Sequence, residues 1–302
     1  MQQPLETSAF VLPVDIRERV AANVLDGPSL RSLSLAARSW RSPALAARYH
    51  SLHYTLKLSG RTVALLIEFF QENGHLAKAV RDLSLEGGAR IEGDEYEVLD
   101  IHKCMLLVAA FPGLQSLALT LIAWTAPVSD RPAVSSHATL RHLYLDVVWR
   151  IADTDPVTAD EWWLTAFRSL ADCVSLEYVR IDIPIDLRTT ATRAGTSVSK
   201  GTQLECLYSL VRFLPSSVKA LDLFFEVANG TTVGGAEKLS LRIDWHLLGL
   251  YVRNKPSLAG VVLHVDDSAL GSGVQYTKAE TRLKDAFSTA GLRSSDPCLT
   301  TE

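Results

Sequence analysis

A short pattern of aliphatic residues recurs along this chain and restricts its fold more than any other feature. The pattern is aliphatic-x-x-aliphatic-x-aliphatic, and it occurs six times, as VRDLSL, LQSLAL, LRHLYL, LEYVRI, VKALDL and LAGVVL. The copies begin at residues 80, 114, 140, 176, 218 and 258. Alternation of this kind predicts strands with one buried face, and its repetition predicts one structural unit used several times.

Helical patterns precede most of the predicted strands. Val63, Leu66, Ile67 and Phe70 form an apolar stripe at helical spacing. Similar candidates lie at residues 97–110, 160–173, 203–213 and 241–253. The exception is 120–139, whose composition predicts a loop. A unit of helix, turn and strand cannot bury its apolar side alone, so stacked units favour an α/β solenoid.

The repeat pattern resembles an irregular form of the leucine-rich repeat. Its intervals are 34, 26, 36, 42 and 40 residues, and the copies lack the asparagine or cysteine that completes the regular signature. We therefore predict an irregular leucine-rich-repeat-like α/β solenoid over residues 55–292 and a flexible tail over 293–302. The main alternative is a non-repeating α/β domain with two or three layers.

The segment before the repeats has the pattern of short amphipathic helices. Ile16, Val20 and Val24 recur at four-residue spacing and predict one apolar helix face, with Arg17 directed to solvent. The sequence Asp-Gly-Pro at 26–28 is predicted to end this helix, with the glycine left-handed and Ser29 capping the next helix. Trp40 closes the second apolar face, Ser42-Pro43 is predicted to begin a third helix, and alternation after residue 50 predicts a strand.

This segment resembles the F-box, the motif by which substrate receptors bind the Skp-type adaptor of SCF ubiquitin ligases. Two departures are Asp15, where glutamate is commoner, and Ala36-Ala37-Arg38, which replaces the usual Val-Cys-Arg. The resemblance implies an F-box-like helical module over residues 10–54, with a cullin scaffold reached through the adaptor. The predicted adaptor-binding residues, acting as apolar anchors, are Leu12, Pro13, Ile16, Val20, Leu30, Leu33 and Trp40. The alternative is an ordinary N-terminal helical bundle.

Residues between the core-directed aliphatic side chains line the opposite face of the predicted sheet, which a solenoid exposes as its concave surface. Tyr144, Tyr178 and Arg180 lie on this face in the middle repeats. Tyrosine and arginine combine contact area with directional hydrogen bonds, so we predict these three residues as a cluster that binds a target protein. The alternative is a solvated strand face.

The composition of the chain argues against several classes of partner and of cellular location. The net charge of −4 and the pI of about 6.1 give no electrostatic reason to expect nucleic acid. The apolar run at 104–111 is too short to span a membrane, and the N-terminus lacks the pattern of a secretory signal. Four scattered cysteines without a C-x-x-C motif predict reduced thiols in an intracellular protein of the cytoplasm or nucleus, with neither a disulfide nor a zinc site.

No catalytic motif stands out in the sequence, so we expect a non-enzymatic protein without a cofactor. The acidic residues at 153–161 lack the glycine of a calcium loop, and His50 and His53 have no third ligand nearby in the sequence. The prediction is therefore a substrate-recognition subunit of an SCF-type ligase. The alternative is a solenoid scaffold outside any ligase, and in that case the N-terminal helices should pack onto the first repeat and expose few apolar groups.

Overall fold

A computed structural model of the chain describes residues 12–57, 60–87, 97, 99, 101–123, 139–148, 168–186, 202–228 and 243–265. Over these residues the chain is an α/β protein in which N-terminal helices precede a seven-stranded sheet. All strand pairs are parallel, and the order of the strands in the sheet is their order in the chain. This arrangement is consistent with leucine-rich-repeat-like α/β repeats.

The six copies of the aliphatic pattern all form strands, which confirms that prediction. Each strand begins two residues after the first aliphatic residue of its copy. The strand predicted after residue 50 is the first of the sheet and lies mostly within the range assigned to the N-terminal module. The strands are β1 Ser51–Thr55, β2 Asp82–Glu86, β3 Ser116–Ala123, β4 His142–Val148, β5 Tyr178–Asp186, β6 Ala220–Ala228 and β7 Gly260–Val265.

The helices are α1 Val14–Ala22, α2 Gly27–Ala36, α3 Arg38–Tyr49, α4 Val63–Glu72, α5 Gly74–Ala77, α6 Ile101–Ala110, α7 Thr202–Phe213 and α8 Trp245–Arg253. A short 3₁₀ helix at Ser169–Asp172 falls in one of the predicted helical ranges. The predicted loop at 120–139 is wrong at its start, because β3 continues to Ala123. Residues 124–138 and the tail at 293–302 lie outside the described residues.

One face of the sheet is buried against the helices. Along β2 the aliphatic residues Leu83 and Leu85 are buried, whereas the residues between them are partly exposed. The same alternation continues through the later strands, and one continuous apolar core runs from Leu56 to Val261. In the first repeats, Phe70 of α4 packs against Phe111, which follows α6, with ring centroids 4.8 Å apart. The repeated pattern therefore buries its aliphatic residues on a single side.

The same backbone contact joins successive repeats. The carbonyl of His50, just before β1, accepts hydrogen bonds from the N–H groups of Arg81 and Asp82 at 2.9 and 3.0 Å. The carbonyls of Arg81, Gln115, Arg141 and Glu177 each accept the corresponding pair from the next unit. Because these donors and acceptors recur at equivalent positions, the same pair of backbone hydrogen bonds joins each repeat to its successor.

A close backbone approach occurs where β3 bulges. Leu121 is in the left-handed region, with φ of 53°, and its N–H donates to the Asp146 carboxylate at 3.3 Å. Gly87 lies directly beneath it, and a Cβ atom at Gly87 would be 2.4 Å from the Leu121 carbonyl oxygen. Left-handed backbone is costly for leucine, so this bulge is held by its neighbours.

The helix boundaries near the N-terminus differ from the prediction. Asp26, not Ser29, caps α2, because its carboxylate accepts the Ser29 N–H at 2.7 Å. Gly27 begins α2 and has no positive φ, so its predicted left-handed conformation is wrong. The third helix begins at Arg38 and contains Pro43, so Trp40 belongs to the first turn of α3 and not to the end of α2. Sequence rules place proline at a helix start, and here it is tolerated inside the helix.

Candidate functional site

Arg17 fixes how α1 lies against α3. Pro43 has no N–H, so it cannot donate to the carbonyl of Ser39 four residues earlier in α3. The Arg17 guanidinium donates to that carbonyl instead. Its Nε is buried and has no hydrogen-bond partner within the described residues. The prediction that Arg17 points to solvent is therefore wrong, and the inner face of α1 includes Arg17 and Ala21, with Val24 after the helix packed against the same cluster.

With Arg17 and Ala21 turned inward, the apolar residues on the other side of α1 face out. Ile16 and Val20 are 38% and 43% exposed, and Val14, in the first turn of the helix, is more exposed still. Leu25 in the following turn is 98% exposed, and Leu35 on α2 is also exposed. We call these five residues the exposed apolar set. Contiguous exposed apolar side chains are typical of a surface that binds another protein, and Ile16 and Val20 are neighbours one turn apart on α1.

The predicted adaptor-binding residues divide into three groups. Pro13, Ile16 and Val20 are exposed, and Leu12, Leu33 and Trp40 are partly exposed. Leu30 is buried against Ala21 of α1 and Ala44 of α3, so it supports the three-helix core and is not available for contact. Sequence reasoning missed Val14, Leu25 and Leu35, because they lie off the helical stripes that the spacing rules select.

The second predicted cluster lies on the face of the sheet that the helices do not cover, which we call the open face. The structure brings its three predicted residues together: Tyr144 is directly opposite Arg180 in the register between β4 and β5, and Tyr178 lies two residues before Arg180 on the same face of β5. The Arg180 guanidinium is 5.0 Å from the ring centroid of Tyr144 and 5.3 Å from that of Phe224. Its Nε and one terminal nitrogen donate to the two carboxylate oxygens of Asp182 at 2.9 and 3.2 Å.

The two tyrosines make the same diagonal contact. The hydroxyl of Tyr144 donates to Asp182, and that of Tyr178 donates to Asp222, each at 2.5 Å. In both cases the aspartate lies on the next strand, two residues beyond the position opposite the tyrosine. Burial, followed by the hydrogen bond to Asp222, raises the pKa of Tyr178 to about 12. Burial and the Asp182 hydrogen bond likewise raise the pKa of Tyr144. Both hydroxyls therefore stay protonated donors at neutral pH.

Sequence reasoning placed Asp182, Asp222, Phe224 and His264 on the open face but gave them no role. Their contacts show that the cluster extends to β7, because the rings of Phe224 and His264 stack with centroids 5.7 Å apart. The recurrence of an aromatic residue and an aspartate on alternate positions of adjacent strands is visible in the sequence. It became informative only once the strand register was known.

The remaining candidates from the sequence do not form a reactive site in the described residues. His50 lies 3.5 Å from Asp82, and His53 contacts Ser84 and Glu86, both at 3.2 Å. Among the described residues, no three potential metal ligands come together and no helix is long and apolar enough to cross a membrane. The acidic stretch at 153–161 lies outside these residues.

Two of the four cysteines are described. Cys104 and Cys173 are buried and not disulfide-bonded. Burial raises the pKa of the Cys173 thiol to about 11, which makes it a poor nucleophile.

No protein-family model matches the sequence, and no curated protein is significantly similar to it. The two surfaces described above therefore carry the functional argument.

Proposed function

We propose that this chain is a substrate-recognition subunit of an SCF-type ubiquitin ligase. In this proposal the N-terminal helices are an F-box-like module that binds a Skp-type adaptor, and through it a cullin scaffold. The parallel sheet is an irregular leucine-rich-repeat-like solenoid whose open face holds the target protein. The chain itself performs no chemistry, because holding a target near the transferring subunits raises the effective concentration of the reacting groups.

The observation that carries the proposal is the exposure of apolar residues at F-box positions. Pro13, Ile16 and Val20 all face away from the small core of the three helices. Complete burial of one such aliphatic side chain contributes about 1.5–3 kcal/mol, so covering Ile16 and Val20 from their partly exposed state would supply about 2 kcal/mol. An adaptor that covers this surface would therefore gain a substantial part of its binding free energy here.

The scaffold alternative predicts a different exposure for the apolar residues of the N-terminal helices. If the helices served only to cap the sheet, they should pack onto the first repeat and expose few apolar groups. Leu45 and Tyr49 of α3 do pack against the core of the sheet. Helix α1, in contrast, presents Val14, Ile16 and Val20 to solvent. The packing of α3 keeps the scaffold as a second candidate, and the exposure of α1 favours the ligase receptor.

Co-purification with a Skp-type adaptor tests the proposal. We expect the full-length chain to bind the adaptor, and Ile16→Asp and Val20→Asp each to weaken binding at least tenfold, since a carboxylate would be buried without a partner. Leu250→Asp is the matched control, because Leu250 is 41% exposed and lies on α8 in the repeat region. We expect it to leave adaptor binding unchanged.

Circular dichroism and thermal unfolding establish that each variant is folded. Folded wild-type chain that does not bind the adaptor would exclude the ligase role and leave the scaffold. Equal effects of Ile16→Asp and Leu250→Asp would show that the contact is not made by α1.

A further inference from the structure

The middle of the open face carries more negative than positive charge. Asp146, Asp182 and Asp222 occupy adjacent strands, and Asp146 is directly opposite Asp182 in the register. At the paired positions Arg180, Asp182 and Asp222, two carboxylates stand against one guanidinium, which leaves a formal charge of −1. An excess of one sign on a partly exposed surface favours a partner segment of the opposite sign.

The contacts of Arg180 show how side chains of this surface can hold a guanidinium. Its guanidinium lies between the rings of Tyr144 and Phe224 and donates two hydrogen bonds to Asp182. A cation held by aromatic rings and a carboxylate combines cation–π attraction with charge-assisted hydrogen bonds. Tyr144 holds the receiving carboxylate in place through its hydroxyl. The chain therefore already contains one complete site for a guanidinium on this face, filled by its own arginine.

Asp222 repeats part of this arrangement, but none of the described guanidinium groups is paired with it. Tyr178 donates to Asp222 as Tyr144 does to Asp182, and Phe224 follows two residues later on the same face. Within the described residues, Asp222 forms no ion pair, and the Tyr178 hydroxyl is the one donor to its carboxylate. Arg180 lies opposite Asp222 in the register, but its described hydrogen bonds go to Asp182. Asp222 thus has acceptor capacity left, beside aromatic rings.

We infer that the open face binds an unphosphorylated, extended segment that presents lysine or arginine side chains, one of which pairs with Asp222 beside Tyr178 and Phe224. This inference rests on the proposed function, for which it names the class of target segment. A phosphorylated segment would place its charge against Asp182 and Asp222, and Arg180, which lies between them in the register, is already neutralised by Asp182. A segment with basic residues meets the opposite charge and leaves the internal hydrogen bonds intact.

Fluorescence anisotropy with the purified full-length chain tests this inference. The probes are fluorescein-labelled peptides of equal length in which glycine alternates with arginine, with phosphoserine or with glutamine. We expect the arginine peptide to bind and the other two to bind at least tenfold more weakly. Asp222→Asn should weaken binding of the arginine peptide about fivefold, the usual upper value for a partly exposed ion pair. Asp82→Asn is the matched control on β2 of the same face, and it should have almost no effect.

Three outcomes would overturn the inference. They are failure of the arginine peptide to bind at millimolar concentration, binding of the phosphoserine peptide as tightly as the arginine peptide, and equal losses for Asp222→Asn and Asp82→Asn. Equal losses for the two variants would mean that the overall negative charge of the protein, and not Asp222, attracts the arginine peptide. Adaptor co-purification with the wild-type chain separates the two proposals. A wild-type chain that binds the adaptor but not the arginine peptide contradicts this inference alone, and a wild-type chain that binds the peptide but not the adaptor contradicts the ligase role alone.

Discussion

The N-terminal helices and the parallel sheet use apolar residues in opposite ways. In the helices the buried cluster consists of Ala21, Leu30 and Ala44, whereas the core of the sheet is continuous from Leu56 to Val261. Among the described residues, ten large apolar side chains are exposed, and five of them are the exposed apolar set between residues 14 and 35. The other five are spread over the much longer repeat region, from Leu65 to Leu250. The N-terminal helices therefore expose more apolar side chains for their length.

The two regions also satisfy their backbone differently. In the sheet, successive repeats are joined by the same pair of hydrogen bonds between main-chain atoms. In the helices one backbone group is satisfied by a side chain, because Pro43 leaves the Ser39 carbonyl to Arg17. A single substitution should therefore affect the helices through a few specific contacts and the sheet through packing.

The largest expected effect compares the two cores directly. Phe111 is fully buried, and Phe111→Ala should lower the free energy of unfolding by about 3–5 kcal/mol through lost burial and a cavity. Leu30→Ala should cost about 2 kcal/mol, the low end for this change, because the small helical cluster can collapse around the gap. Urea denaturation followed by circular dichroism measures both. Equal losses would break the comparison, since they would mean that the helices are packed as tightly as the sheet.

The next effect tests the close approach at the bulge of β3. Gly87→Ala places a Cβ atom 2.4 Å from the Leu121 carbonyl oxygen, so the backbone must shift. We expect a loss of about 1–3 kcal/mol in unfolding free energy, as for other overpacked sites. Gly74→Ala is the control, because nothing lies within 4 Å of its added Cβ. Indistinguishable stabilities for the two variants would show that the sheet tolerates displacement at this bulge.

A smaller effect concerns the contact between α1 and α3. Arg17→Met keeps much of the side-chain volume but removes the donor to the Ser39 carbonyl, and it should lower the unfolding free energy by about 1 kcal/mol, since the site is partly exposed. Arg19→Met on the exposed side of the same helix is the control. Hydrogen exchange should show faster exchange confined to the N-terminal helices. Protection lost throughout the sheet would mean that the two regions unfold together.

The smallest effect depends on pH. Hydrogen bonds from Ser29 hold the pKa of Asp26 below its ordinary value of 3.8. A lowered folded-state pKa stabilises the folded chain above pH 3.8, and this contribution is lost as the pH falls through the lowered value. Asp26→Asn can still cap α2 but cannot titrate. Thermal unfolding from pH 5 to pH 2.5 should show a steeper decline for wild type than for Asp26→Asn, and parallel declines would contradict this.

The pattern that alternates aliphatic residues predicted the sheet well, because alternation depends only on which side chains face a common core. It located six strands and the side that each residue faces. The capping and proline rules predicted the helix boundaries less well. Local rules place proline at a helix start, so Pro43 was predicted to begin a helix. These rules cannot foresee that the Arg17 side chain, which is distant in sequence, donates to the Ser39 carbonyl in place of the missing Pro43 N–H. The bulge at Leu121 was equally hidden, because it depends on Gly87 in another repeat.

The candidate sites were also predicted in part, because residue type and face follow from the sequence but contacts between strands and helices do not. Tyr144, Tyr178 and Arg180 were chosen from residue type and face, and the structure places them together. Their binding of a target stays a prediction. The roles of Asp182 and Asp222 could not be derived, because each depends on a hydrogen bond from a neighbouring strand. At the N-terminus, helical spacing selected Leu30 together with Ile16 and Val20, although one is buried and two are exposed. Spacing along one helix does not say which side another helix will cover.

The sequence by itself determined that this chain repeats a helix–strand unit and that each strand buries one face, because local periodicity decides which side chains share a surface. The tertiary structure decided which of those surfaces stay open. It turned Arg17 inward to a carbonyl that Pro43 leaves unpaired, and so turned Ile16 and Val20 outward. It also set the strand register that joins Tyr178 to Asp222. Contacts between residues more than twenty positions apart made both decisions, and no local rule contains them.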